Sequence, residues 1–379
     1  MKNKKIRVAY AALAPFISGS ERSLQQTILA VKEQLDVTLI VPPLSPMIEW
    51  AQKNNVRCCT VELEYCSLWS SFTTYIHKHF SLIRIFRKYR IDIVHSNQLW
   101  SYPVVSLAAT VVGVKKVCHF RDPIDKHSNW WLPRRVDKAI FISRHIESMF
   151  LKNIESKRFK SYCTMINPVS LPPKIDEVEF RTKRDTSSEA LGLKKNAFTF
   201  GYIGQISPVK GVLEMLHALS KLNSGWQLVI AGDATEDGQD YLKKCMKAAE
   251  DLNISPNVTF IGFLDNVGLF YQAVDCVLML SKAEPLGRVP LEAAGYFKPT
   301  IANDVGGLPE TICHGKTGWL TPSGDESSLL ICLNEALEMD AWKLGGAARA
   351  MVEEIADPSL YAKKLVAEYE TCLHNKRPL

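Results

Sequence analysis

The amino-acid sequence predicts an α/β fold with two Rossmann-like, parallel α/β/α domains. Three observations carry that prediction. Short apolar runs alternate with helical stretches along the whole chain, the order that parallel sheets with crossover helices require. The 379 residues exceed what one compact core accommodates and suffice for two. Between the halves, residues 167–184 (NPVSLPPKIDEVEFRTKR) are rich in proline and charge, the composition of a connector. The domains are therefore set at residues 1–170 and 185–357, with 171–184 as the linker. A closing helix at about 358–379 is rich in alternating apolar and charged residues.

The elements follow in order. KIRVAYAAL (5–13) is a first strand, followed by a loop from Pro15 to Ser20 and a helix from about Glu21 to Gln34. VTLIVPP (37–43), a helix near 45–54, VRCCTVEL (56–63) and a basic helix over 77–90 come next. IDIVHSN (91–97), a helix near 101–113, KKVCHFRD (115–122) and DKAIFIS (137–143) complete the first half. In the second half FTFGYIGQI (198–206), WQLVIAGDA (226–234), NVTFIGFL (257–264), DCVLMLS (275–281) and KPTIAND (298–304) are strands separated by helices.

Composition excludes several classes. Hydrophobic residues make up 46% and charged ones 23%, ordinary for a globular protein. Ten cysteines without a C-x-x-C spacing support neither a disulfide framework nor a zinc site, and fit reduced thiols in a cytosol. The basic start reads as a buried strand rather than a signal peptide, and no run of 18 apolar residues would cross a membrane. Residues 1–170 hold 25 Lys/Arg against 12 Asp/Glu, and the remainder 21 against 28. A basic half joined to an acidic half implies an anionic partner for the first. Two stretches concentrate the effect: HKHFSLIRIFRKYR (77–90) and NWWLPRR (129–135). Either they meet an anionic membrane surface, the apolar rings inward and the cations on lipid phosphate, or they are a solvated basic helix face and a core tryptophan pair. Nucleic acid ranks below lipid, since no groove-reading helix, zinc spacing or stacking motif is present.

The chemistry concentrates in residues 284–321, EPLGRVPLEAAGYFKPTIANDVGGLPETICHGKTGWLTP. Glu284 ends a loop after a strand, Gly287 admits the turn into a helix, and that helix carries Glu292. Eight helical residues rise roughly 12 Å, too far for the two carboxylates to share one proton or metal. They suit the two ends of a longer ligand, with the helix amides at Gly287, Arg288 and Val289 facing an anion between them. A molecule with hydroxyls at both ends and phosphates in the middle is a nucleotide-sugar. Upstream, GYIGQISPVKG (201–211) sets Lys210 beside a glycine turn, an arrangement suited to a diphosphate.

These segments resemble the retaining glycosyltransferases of family 4, glycosyltransferase group 1, which have the GT-B fold: two Rossmann-like domains facing a central cleft. The resemblance rests on Glu284 and Glu292 with seven residues between them, on the GGLPE that follows, and on Gly204, Lys210 and Gly211. It implies that Glu284 bonds hydroxyls of the donor sugar, that Glu292 holds the ribose, and that Lys210 steadies the leaving diphosphate. It also implies donor contacts from backbone at Gly262, Phe263 and Leu264, and from Gly19 in SGSERS, which is similar to the family's G-G-x-E-R loop with Ser18 replacing a glycine. Asp92, His95 and Asn97 match a family strand-end motif, and His119 matches a catalytic-region histidine. Arg121 follows and would help bind an anionic acceptor; His95 and Asn97 are its companions. Ser281 fits P-S-x-x-E with Leu280 in place of proline, while Asp233 reads as a turn residue. The departure of consequence is Gln205, where the family carries arginine; one fixed charge leaves the phosphate cradle.

No Asp-x-Asp metal motif is evident, and the resemblance implies metal-independent transfer with retention; no cofactor is expected. The implied product is a glycolipid or cell-surface polysaccharide, made in the cytoplasm or on the inner membrane face. Two other classes stay open: a nucleotide-sugar-binding subunit of weak or no activity, motivated by Gln205, and, remotely, an NAD-dependent oxidoreductase, although G-x-G-x-x-G is missing.

Overall fold

The computed structural model describes residues 5–61, 72–124, 135–153 and 158–374. Its internal contacts divide the chain into two units, Met1–Pro168 with Ala356–Leu379, and Val169–Ile355.

The first unit contains β1 (Arg7–Ala11), α1 (Gly19–Val31), β2 (Asp36–Val41), α2 (Met47–Lys53), β3 (Arg57–Thr60), α3 (Phe72–Lys88) and β4 (Ile93–Ser96). It continues with α4 (Tyr102–Val112), β5 (Lys115–Phe120), β6 (Lys138–Phe141), α5 (Arg144–Asn153) and β7 (Tyr162–Thr164). The strands form one sheet in the order β3-β2-β1-β4-β5-β6-β7, and every pairing is parallel. The alternation of side chains along β1 shows why the strand must be apolar on both sides. Val8 and Tyr10 pack with Leu24 and Ile28 of α1, and with Tyr361, Leu365 and Tyr369 of the C-terminal helix, Pro358–His374. Ala9 and Ala11 face the other way, onto Leu82 and Phe86 of α3 and Val105 and Ala109 of α4.

The second unit contains α6 (Glu177–Ala190), β8 (Phe198–Ile203), α7 (Val212–Leu219), β9 (Trp226–Ala231), α8 (Gln239–Asp251), β10 (Val258–Gly262) and α9 (Val267–Ala273). Then come β11 (Cys276–Met279), α10 (Arg288–Gly295), β12 (Thr300–Asn303), β13 (Gly318–Thr321), α11 (Glu326–Glu338) and α12 (Ala341–Ala356). The sheet order is β10-β9-β8-β11-β12-β13, again all parallel. In both sheets the order reverses beside the first strand, between β1 and β4 and between β8 and β11. Loops leaving the carboxyl ends of such neighbours diverge to opposite faces and leave a crevice for a ligand.

Several sequence expectations change. The stretch read as a linker, 171–184, is not a free connector: α6 starts within it. The Asp176 carboxylate accepts the Glu179 amide and caps the helix, and Phe180 is buried, its ring tilted against Trp342 of α12. Its charges form a solvated helix face, which composition alone does not separate from a linker. Helix α3 begins at Phe72, not 77, and α1 at Gly19, not Glu21. The tryptophans of NWWLPRR lie outside the described residues.

Candidate functional site

The loops after β8 and β11 bring the predicted donor residues together. A tight turn over Pro208–Lys210 precedes α7, and Gly211 caps it in the left-handed region, φ 72°. A Cβ at Gly211 would overlap the Leu280 carbonyl oxygen, so only glycine lets this loop lie against the end of β11. The Lys282 amide donates to the Val209 carbonyl at 2.8 Å and fixes the same pairing of loops. The outcome is an ion pair: the Lys210 ammonium lies 2.8 Å from Oε2 of Glu284, with the two side chains 30% and 14% exposed. A residue of each motif, 74 positions apart, thus meets at the switch point of the second sheet.

Glu284 is held from its other side by the GGLPE segment. The Gly307 amide donates to the Glu284 carbonyl at 2.9 Å, and a Cβ at Gly306, φ 61°, would collide with that same oxygen. Helix α10 starts only at Arg288, with Gly287 as its N-cap. The spacing between the glutamates is therefore half loop and half helix, not the eight-residue helical rise assumed from sequence. Glu292 is fixed at both oxygens: Arg288 donates through Nε to Oε1 at 2.5 Å, and the Tyr271 hydroxyl donates to Oε2 at 2.8 Å. Each carboxylate oxygen keeps acceptor capacity for a ligand hydroxyl. The Arg288–Glu292 pair follows from its four-residue helical spacing; Tyr271, on α9, gave no sequence signal.

Other predicted donor positions line the same sheet edge. Gly204 and Gln205 leave β8; the Gln205 side chain is exposed, and the backbone carbonyl of Gln205 accepts the Tyr202 hydroxyl at 2.6 Å. Gly262 ends β10, and the Phe263 amide donates to the Asp233 carboxylate at 3.1 Å. Asp233 thereby braces the loop of Gly262, Phe263 and Leu264. Ser281 is buried, and its hydroxyl has no hydrogen-bond partner. Val289 occupies the first turn of α10. Among the described residues no group of three His, Cys, Asp or Glu could hold a metal ion.

In the first unit Gly19, Glu21, His95, Asn97, His119 and Arg121 lie at or just beyond the carboxyl ends of β1, β4 and β5, where α1 begins. Ser18, read as a lost glycine, is the N-cap of α1. Its backbone amide and hydroxyl donate to Oε2 of Glu21 at 3.1 and 2.5 Å, a reciprocal capping box that S-x-x-E spells out. Glu21 is fully buried, and its Oε1 has no partner. Arg121 corrects the sequence reading. Only 5% exposed, it donates to the Asn97 carbonyl, the Asn97 and Asn167 side-chain oxygens, and Nδ1 of His119. Its guanidinium ties strand ends together instead of meeting an anionic acceptor.

Asn97 is spent on the same arginine and on the Ser20 carbonyl, at 3.3 Å. His95 is buried with Nδ1 2.5 Å from the Tyr369 hydroxyl, which donates in turn to the Tyr10 hydroxyl. Tyr369 has a single proton, so His95 donates from Nδ1. Burial, with help from the Arg121 charge, lowers its pKa to about 3. His119 is likewise driven well below the usual histidine range by burial, then by Arg121 and His95. Since arginine can only donate, Nδ1 of His119 accepts and its proton resides on Nε2, which is buried without a partner.

Residues 183–354 match the family described as glycosyl transferases, group 1. This segment, a little under half of the chain, is similar to the group 1 glycosyl transferases. The match spans Gly204, Gln205, Lys210, Glu284 and Glu292. The N-acetyl-alpha-D-glucosaminyl L-malate synthase of Bacillus anthracis is 29% identical over 209 residues, 53% of this chain and 52% of that protein. The chain therefore spans about half the length of that relative. The UDP-Gal:alpha-D-GlcNAc-diphosphoundecaprenol alpha-1,3-galactosyltransferase of Escherichia coli is 24% identical over 352 residues, 87% of this chain and 88% of that protein. Among solved structures, a glycosyltransferase of Rickettsia africae superposes with a TM-score of 0.84 at 18% identity, covering 98% of this chain and all of that one. Anabaena HepE in complex with UDP and glucose gives 0.80 at 18% identity, covering 97% of this chain and 100% of that one. The chain thus has two parallel α/β units of the GT-B class.

Proposed function

We propose that this chain is a retaining glycosyltransferase, moving a sugar from a UDP- or GDP-sugar to a glycolipid or polysaccharide acceptor without a metal. The observation that carries the reading is the Lys210–Glu284 pair at the switch point of the second sheet. An ammonium and a carboxylate held 2.8 Å apart suit two adjoining parts of one ligand: the phosphates and the sugar hydroxyls next to them. In this reading Lys210 and the amides at residues 287–289 take up charge on the leaving diphosphate, Glu284 orients the sugar, and Glu292, clamped by Tyr271 and Arg288, holds the ribose. The second unit is the donor domain and the first receives the acceptor. There His119 offers its Nε2 proton to a sugar oxygen, while His95, Asn97 and Arg121 support the site from beneath. The Escherichia coli relative, named for a diphosphoundecaprenol acceptor, and the basic first unit favour a lipid-linked acceptor at an anionic membrane surface.

The test is a panel of nucleotides and nucleotide-sugars. UDP or GDP should raise the melting temperature, and one donor should be hydrolysed or transferred at an undiminished rate in EDTA, with the anomeric configuration kept by NMR. Thermal stabilisation by a nucleotide without any turnover would instead favour a binding subunit, the reading that exposed Gln205 motivates. Loss of turnover in EDTA would refute the metal-free mechanism.

A further inference from the structure

We infer that the outward faces of α3 and α4 form one docking surface for an anionic lipid bilayer. The inference deepens the lipid-linked reading of the acceptor above, but its evidence is separate from the donor site.

Both helices cover the same face of the first sheet. They bury Leu82 and Phe86 from α3, and Val105, Ala108 and Ala109 from α4, in one cluster. Their outward sides are unlike an ordinary solvated surface. On α3, Phe80 is 65% exposed, and Arg84, Arg87 and Lys88 are exposed beside it at helical spacing. These side chains, with half-buried Ile83, outline an open depression of about 480 Å³. On α4, YPVVSLAATVV has no charged residue, and its outward Leu107 and Val111 are 45% and 60% exposed. A surface helix normally turns a charged stripe to water; one without any belongs to a core or an apolar medium.

Charge selects the occupant. Asp92 is the only acidic residue between Tyr65 and Arg121, against seven lysines and arginines, and it is engaged by Arg7 in a bidentate pair. Exposed aliphatic and aromatic side chains beside cations that have no ion pair among the described residues are the pattern of a helix face that lies in a headgroup layer. The rings and branched chains enter the acyl boundary while the cations meet lipid phosphate. A protein partner or a second copy of this chain would have to bring its own acidic, apolar face. No helix among the described residues is long and apolar enough to cross a membrane, so the contact is peripheral.

Co-sedimentation with vesicles tests this. The full chain should bind vesicles containing about 30% phosphatidylglycerol in phosphatidylcholine at low salt, and lose most of that binding at about 0.5 M salt. L107D/V111D and R84E/R87E should each reduce the partition coefficient at least tenfold. K243E/K247E, on exposed positions of α8, should leave it within twofold. The wild-type chain ignoring anionic vesicles, or both first-unit variants binding as well as wild type, overturns the inference. So does a dimer in solution that L107D/V111D converts to monomer, which would assign the face to a second copy. UDP binding, followed by thermal shift in the same samples, should be unchanged in every variant. Its absence from the wild-type chain would count against the donor reading and leave the vesicle result standing.

Discussion

Replacing Glu284 by glutamine should tighten binding of the free nucleotide while it abolishes sugar transfer. Glu284 holds the Lys210 ammonium at 2.8 Å, the lysine 30% and the glutamate 14% exposed. A diphosphate arriving at Lys210 must share or displace that carboxylate, and it meets the carboxylate's own negative charge. For a partly exposed pair the competition is worth about 1 kcal/mol, a factor of about five in Kd. UDP or GDP, whichever binds, should therefore bind E284Q about fivefold more tightly in isothermal titration. The nucleotide-sugar should gain nothing, because the same change removes a charged acceptor from its hydroxyls. K210A should move the other way, losing about tenfold or more, the contribution of one charge-assisted bond. The main chain is spared in E284Q, since the bond from Gly307 goes to the carbonyl. A tenfold weaker nucleotide in E284Q would refute this reasoning. It would place the carboxylate among the groups that hold the diphosphate, as expected if a bridging cation joined them.

Other outcomes follow from single contacts. Y271F removes the hydroxyl that donates to Glu292 at 2.8 Å and keeps the buried ring; nucleotide affinity should drop by about 1 kcal/mol in the same titration. Q205R places a guanidinium at an exposed loop position and should raise nucleotide affinity several-fold, with no change expected if another group already supplies that charge. Lys298 is fully buried, its ammonium without a hydrogen-bond partner and 3.9 Å from the Phe180 ring centroid. Burial lowers its pKa from 10.5 to about 7, a cost of about 5 kcal/mol for the charged form, against about 2 kcal/mol returned by the ring. The unfolded chain binds the extra proton between about pH 7 and 10.5, so stability rises with pH across that window and the full penalty applies below it. K298M should be stabilised by about 3 kcal/mol near pH 7 in urea unfolding, and its rise toward pH 10 should vanish. An unstabilised K298M would mean the ammonium has a compensating partner.

The sequence by itself determined the class of fold, because apolar runs and helical stretches alternate in an order that only parallel α/β sheets satisfy. It also named Lys210, Glu284 and Glu292 as candidates, since charged side chains at strand ends next to glycines suit a diphosphate and its flanking hydroxyls. The capping box of Ser18 and Glu21 and the pair of Arg288 with Glu292 are local spacings too, which the sequence reading above passes over, with Ser18 standing there only as a replaced glycine. Only the tertiary structure decided what long-range packing controls. It turned Arg121 from an anion-binding candidate into a buried tie between Asn97, Asn167 and His119, brought Tyr271 under Glu292, and joined His95 to Tyr369 of the C-terminal helix, 274 residues away. It likewise made part of the presumed linker a capped helix. The reason is physical: spacing along a strand or helix fixes which neighbours share a face, whereas burial and the partners of a charge depend on which elements the sheet order sets side by side.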